Sequence, residues 1–149
     1  MASAERTYVD PSALRCLYLH DERSTRFCKW RQRLRGTLPL TRFGRAEIVN
    51  SLCLAVNRKL IDNGVAQGAI ADLDADVREG RVALIDALWP RTLDTAADLS
   101  LAHTAKFATR TLDVLHVATA MVLESTHFVS YDARQLALAG AVGFKVLSP

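Results

Sequence analysis

Several scarcities narrow the class of this chain before any motif is read. Cysteine occurs three times, at Cys16, Cys28 and Cys53. An odd number without Cys-x-x-Cys spacing excludes a disulfide framework or zinc ribbon and fits reduced thiols, with the cytoplasm as the expected address. No uninterrupted apolar run approaches the roughly 20 residues of a bilayer-spanning helix, so no membrane partner is expected. The start, Met1-Ala2-Ser3-Ala4-Glu5-Arg6, has neither the basic start nor the apolar core of a signal peptide. There is no P-loop, dinucleotide glycine fingerprint or Gly-x-Ser-x-Gly elbow, which leaves NTPase, Rossmann oxidoreductase and serine hydrolase without support. His20, His103, His116 and His127 are scattered without metal-ligand spacing.

What is present suits one folded domain over residues 1–149. Half of the residues are hydrophobic, which argues against disorder, and the length suffices to bury a core without disulfides. The formal charge is only +3, but it is unevenly spread. From His20 to Arg45 eight basic residues (Arg23, Arg26, Lys29, Arg31, Arg33, Arg35, Arg42, Arg45) face only Asp21 and Glu22. From Asp62 to Asp98 eight acids face Arg78, Arg81 and Arg91. The basic stretch is a candidate surface for a polyanion, with solubility as the bland alternative.

Short apolar runs alternate with helical periodicity, which calls for an α/β fold with a mostly parallel sheet covered on both faces. Strands are expected at residues 6–10, 37–41, 82–85, 127–131 and 145–147. Helices are expected from Pro11 to about His20, over Glu22–Leu34, and from about Gly44 to Asn63, where Gly64 stops the chain. The inner stripe of that third helix is Ile48, Leu52, Val56 and Leu60. Further helices are expected within Ala66–Glu79, over 92–107, over Thr111–Glu124 and over Ala133–Ala139. The helix from Thr111 is apolar on nearly every side except at Asp113, His116 and Thr119.

Two of the strands run straight into an aspartate: Tyr8-Val9 into Asp10, and Phe128-Val129-Ser130-Tyr131 into Asp132. In open α/β sheets ligands bind outside the carboxyl ends of the strands. Glu47, early in a helix after a strand, and Asp113, opening its apolar helix, are the other candidates. Each has a structural reading: Asp10 and Asp132 as helix N-caps, Asp113 as an acid favoured by the helix dipole, and Glu47 as a solvated helix residue. Taken jointly, four carboxylates within ~5 Å of one another would repel by roughly 3 kcal/mol per pair at an effective dielectric near 20. Such a cluster calls for cations, and oxygen-only ligands suit Mg²⁺ or Mn²⁺ in phosphate chemistry. His116, at i+3 from Asp113, is placed to orient that carboxylate or to sit hydrogen-bonded in the core. Ser12 and Ser130 lie beside the aspartates as supporting hydroxyls or caps.

These residues carry a resemblance. The chain resembles PIN-domain ribonucleases, specifically the toxins of VapBC-type toxin–antitoxin pairs. It does so through Tyr8-Val9-Asp10-Pro11-Ser12-Ala13-Leu14 and Arg42-Phe43-Gly44-Arg45-Ala46-Glu47-Ile48. The likeness continues through Arg110-Thr111-Leu112-Asp113-Val114-Leu115-His116-Val117-Ala118-Thr119-Ala120. It ends with Phe128-Val129-Ser130-Tyr131-Asp132-Ala133-Arg134-Gln135-Leu136 and Gly143-Phe144-Lys145-Val146. The Asp-x-x-His-x-Ala block at Asp113 is the most specific part. The resemblance implies an α/β/α sandwich around a five-stranded parallel sheet of order 3-2-1-4-5. It maps an acidic site onto Asp10, Glu47, Asp113 and Asp132, with a supporting hydroxyl at Ser12 or Ser130. It further implies metal-dependent endonucleolytic cleavage of RNA, commonly tRNA or rRNA, with a small antitoxin as partner and usually a homodimer.

Together these observations predict a Mg²⁺- or Mn²⁺-dependent endoribonuclease using metal-activated water, with Asp10, Glu47, Asp113 and Asp132 as catalytic and metal-binding residues. Arg26, Arg31, Arg33, Arg35, Arg42 and Arg45 are the expected RNA-backbone contacts, which position without reading sequence. The alternatives are a catalytically silent PIN-fold module binding RNA or protein, and a haloacid-dehalogenase-like phosphatase. The latter uses Asp-x-Asp, where this chain has Asp10-Pro11-Ser12.

Overall fold

The computed structural model of the chain describes residues 2–149. Five short strands alternate with helices: β1 (Thr7–Val9), β2 (Leu38–Thr41), β3 (Val82–Ile85), β4 (His127–Val129) and β5 (Lys145–Leu147). Between them run α1 (Pro11–Leu14), extended by a 3₁₀ turn at Arg15–Leu17, and α2 (Ser24–Arg33). Next come α3 (Arg42–Asn57), α4 (Asn63–Arg78), α5 (Trp89–Leu99), α6 (Ala105–Phe107), α7 (Thr111–Val122) and α8 (Ala133–Ala141). A π-helical turn at Ser100–Thr104 joins α5 to α6. No helix among the described residues is long and apolar enough to cross a membrane.

All strand pairs are parallel, as a chain of strand–helix units requires. The expectation of one continuous five-stranded sheet needs correction. The ladders form a three-stranded sheet of order β1-β4-β5 and a separate two-stranded sheet of β2 and β3. β1 lies beside β2 in space, but between them no strand ladder forms. A backbone bond from the Ala4 N–H to the Arg35 carbonyl, 3.1 Å, links their flanks instead. The strands at this seam are only three and four residues long, and β2 carries Pro39, which has no N–H to donate.

The helix expected from Gly44 to Asn63 ends at Asn57, where Lys59 adopts a left-handed φ of 57°. Gly64 is no stop signal. It lies in the first turn of α4, whose N-cap Asp62 accepts a hydrogen bond from the Val65 N–H at 2.8 Å. Asp62 supplies a strong start where the glycine supplied only a weak stop. Accordingly Ile48 and Leu52 are buried, whereas Leu60 is 72% exposed and Ala55 takes the inward place. The first helix is likewise shorter than expected, giving way to its 3₁₀ turn before Tyr18.

Two apolar clusters face the sheets. One gathers Leu14, Phe27, Leu38, Ile48, Leu52 and Leu73 under α1 to α4. The other packs Tyr8, Leu99, Val114, Val117, Phe128 and Leu138 between α5, α7 and α8. The near-continuous burial of α7 from Asp113 to Ala120, Leu115 excepted, explains its lack of a polar face, since it runs inside the protein. That position also forces the polar groups of α7 to find partners.

Candidate active site

Asp10 follows β1 directly, caps α1 by accepting from the Ser12 N–H at 3.2 Å, and takes a second hydrogen bond from the Ser12 hydroxyl. Asp132 caps α8, accepting from the N–H groups of Arg134 and Gln135 at 2.8 and 3.2 Å. Asp113 sits in the first turn of α7 and reaches back to the Arg110 N–H at 3.0 Å, the reciprocal half of a capping box. Each aspartate therefore serves a helix end, as its structural reading held. The three carboxylates nevertheless line one cleft of about 540 Å³ at the carboxyl ends of β1 and β4, together with Glu47, Ser12 and His116. The parallel pairing of Val9 with Val129 makes this possible by aligning the ends of the two strands.

Glu47 comes from the second turn of α3. The Thr41 hydroxyl caps that helix by accepting from the Gly44 N–H at 2.8 Å. Gly44 is needed for close approach: a Cβ there would stand 2.9 Å from Leu40 Cδ1 and 3.1 Å from Pro11 Cγ. Its absence lets α3 press against α1 and carries Glu47 toward Asp10. Among the described residues Glu47 forms no ion pair with lysine or arginine. Its Oε2 is 2.6 Å from His116 Nε2 and, that contact aside, meets no hydrogen-bond donor among the described residues. The other imidazole nitrogen, Nδ1, meets the Tyr8 hydroxyl at 2.7 Å. The ring is stacked on Phe43, centroids 5.4 Å apart.

Two residues not singled out from sequence organise this cleft. Gln135, buried, donates from Nε2 to Asp10 Oδ1 at 3.1 Å and to Asp113 Oδ1 at 3.4 Å. Its Oε1 accepts from the Ser130 hydroxyl at 2.8 Å, and Ser130 Oγ in turn accepts from the Asp132 N–H at 3.0 Å. Ser130 thus acts on the acids through Gln135. The signal was present as Asp132-x-x-Gln135, a capping-box spacing before an apolar run. The second residue is Arg110, whose Nε donates to Asp113 Oδ2 at 3.1 Å and whose Nη2 lies 3.4 Å from both Asp113 Oδ1 and Asp132 Oδ2. Burial alone would raise the Asp113 pKa, but the Arg110 guanidinium and N–H bonds outweigh it and hold the carboxyl below the usual range. Two of the acids therefore have a charge partner that the sequence pattern did not reveal.

The donor chemistry fits a hard divalent cation, since four carboxylates border one cleft. In the arrangement described, no three His, Cys, Asp or Glu groups among the described residues stand together closely enough to hold one ion. Arg110 lies on two of the four acids.

The basic stretch does not line the cleft. Arg45 forms a forked pair with Asp74 at 2.9–3.1 Å, Arg42 pairs with Asp86 at 3.0 Å, and Arg31 donates to the Leu34, Gly36 and Arg81 carbonyls. Arg26, Arg33 and Arg35 are exposed and have no carboxylate partner among the described residues. The cleft's own cations are Arg15 and Arg110. Compared with protein-family models and with curated proteins, the chain matches none.

Proposed function

We propose that the chain is a Mg²⁺- or Mn²⁺-dependent endoribonuclease with a PIN-like fold, acting as the toxin of a toxin–antitoxin pair. One observation carries this: carboxylates from positions 10, 47, 113 and 132, delivered by four separate elements, meet at the cleft where β1 and β4 end. A fold has no use for that convergence in capping, because each cap would work equally well with the helices pointing elsewhere. The adjacency of β1 and β2 agrees with a 3-2-1-4-5 order if the two ladders are taken as one interrupted sheet.

Asp10, Glu47 and Asp113 would hold the principal ion, with Asp132 completing the site. The ion would supply charge neutralisation for a scissile phosphate and a water acidified for attack. The chain's own contribution is positional. Gln135 holds Asp10 and Asp113 in register, and Tyr8 and Phe43 fix the imidazole beside Glu47. Arg15 at the cleft, and Arg26, Arg33 and Arg35 elsewhere on the surface, offer cations to an RNA backbone. RNA as substrate, an antitoxin as partner and a homodimer as assembly belong to the same proposal and come from the resemblance.

The test is incubation of purified protein with total RNA in Mn²⁺ or in excess EDTA, alongside Asp10→Asn. Cleavage should need Mn²⁺ and fall by orders of magnitude in the variant, with an unchanged circular dichroism spectrum. Cleavage in EDTA, or undiminished cleavage by Asp10→Asn, would rule the mechanism out. A second reading, a silent RNA- or protein-binding module, is favoured by the pairing of Asp113 and Asp132 with Arg110. It expects RNA to be retained intact under every condition.

A further inference from the structure

Four carboxylates and two guanidiniums line the cleft, and the guanidiniums are placed very differently. Arg15 makes no ion pair among the described residues, whereas Arg110 spans Asp113 and Asp132, side chains delivered by α7 and by the β4–α8 junction. Its grip is loose. Two of its three contacts are 3.4 Å long, and its side chain is 65% exposed, so little packing holds the guanidinium in place. Asp113 and Asp132, by contrast, are held independently of that side chain by the backbone N–H groups of Arg110, Arg134 and Gln135. The two carboxylates would keep their positions if the guanidinium left.

We infer that Arg110 is a tethered counter-cation of this cleft that a divalent cation displaces, so that guanidinium and ion occupy Asp113 and Asp132 in turn. This rests on the metal-dependent reading above. A guanidinium carries one diffuse charge and binds carboxylates only through N–H bonds, while Mg²⁺ or Mn²⁺ carries two charges and bonds directly to oxygen. Both cannot sit on the same oxygens without strong mutual repulsion. Arg110 therefore lowers the apparent metal affinity and prevents the repulsion of an uncompensated cluster when no ion is bound. Displacement would also release a forked phosphate-binding group at the mouth of the site.

Calorimetric Mn²⁺ titration of the wild-type chain, Arg110→Gln and Arg110→Lys tests this, together with thermal melts of each in EDTA and in saturating Mn²⁺. Arg110→Gln should bind Mn²⁺ about tenfold more tightly, the solvent-screened effect of removing one competing charge. It should melt below wild type in EDTA and level with it in saturating Mn²⁺, and Arg110→Lys should fall between. Equal or weaker Mn²⁺ binding by Arg110→Gln, or a melting deficit that persists unchanged in Mn²⁺, would overturn the inference and make Arg110 a permanent helix-end partner. Failure of the wild-type chain to bind Mn²⁺ would overturn the metal reading itself and this inference with it.

Discussion

The Tyr8 hydroxyl lies 2.7 Å from His116 Nδ1, a buried bond between residues 108 positions apart. Burial first, then the Asp10 and Glu47 charges, hold the Tyr8 pKa well above its ordinary value, so the phenol stays protonated. The bond occupies Nδ1 and leaves Nε2 facing Glu47 at 2.6 Å. A strand residue of the core thereby positions the ring of a residue at the cleft. Tyr8→Phe should cost about 1–3 kcal/mol by leaving a buried nitrogen unpaired. In a double-mutant cycle with His116→Phe the two losses should be strongly non-additive, read by urea denaturation. Additive losses would mean that the bond contributes nothing.

Neutralising different acids should shift stability in opposite directions. Asp113 is held below the ordinary aspartate value of 3.8 because its bonds to Arg110 outweigh burial. Its contribution is complete above that value and is lost as the pH falls through the lower folded value. Asp113→Asn should therefore melt below wild type at neutral pH in EDTA, and should lose less of its remaining stability on acidification. Among the described residues Glu47 has no arginine or lysine partner, and it shares His116 Nε2 with Asp10, at 2.6 and 3.8 Å, so Glu47→Gln should melt at or above wild type in EDTA. Melting curves from pH 7 to pH 2 decide both, and a marked loss from Glu47→Gln would contradict the repulsion argument.

The arginines should divide by what they already hold. Arg33 and Arg35 are free to neutralise phosphate, and substituting either with Gln should flatten the log–log salt dependence of RNA affinity by about 0.7–0.9. Arg45, committed to Asp74 by a forked pair, should leave that slope unchanged when substituted. Affinities measured across a salt series with a cleavage-deficient Asp10→Asn background test this. Equal slopes for every variant would reassign the basic stretch to solubility or partner docking.

The cysteines should differ in reactivity. Burial pushes the Cys16 thiol up to about 11, reinforced by Asp21, whereas Cys53 is exposed. The thiolate is the reactive form, so iodoacetamide at neutral pH should label Cys53 rapidly and Cys16 only upon unfolding. Peptide mass spectrometry over a time course gives the order, and early labelling of Cys16 would show that its pocket opens in the native state.

Local signals by themselves determined much of this protein. β3 and β5 fall on the residues their apolar runs indicate, and Asp10-Pro11 announces the start of α1, because strand burial and helix capping are written in neighbouring residues. The four acids could be named for the same reason: each stands at or near an element boundary that periodicity reveals. Tertiary structure decided the longer-range compensation. Arg110 is local to Asp113, three residues on, but its reach to Asp132 and that of Gln135 to Asp10 arise only where the chain brings β1, α7 and α8 together, because partners 22 and 125 residues apart leave no periodic trace. The break between the two sheets and the early end of α3 were also settled beyond local pattern. A missing ladder depends on how two short strands meet, and a helix end depends on a competing cap at Asp62 rather than on the nearest glycine.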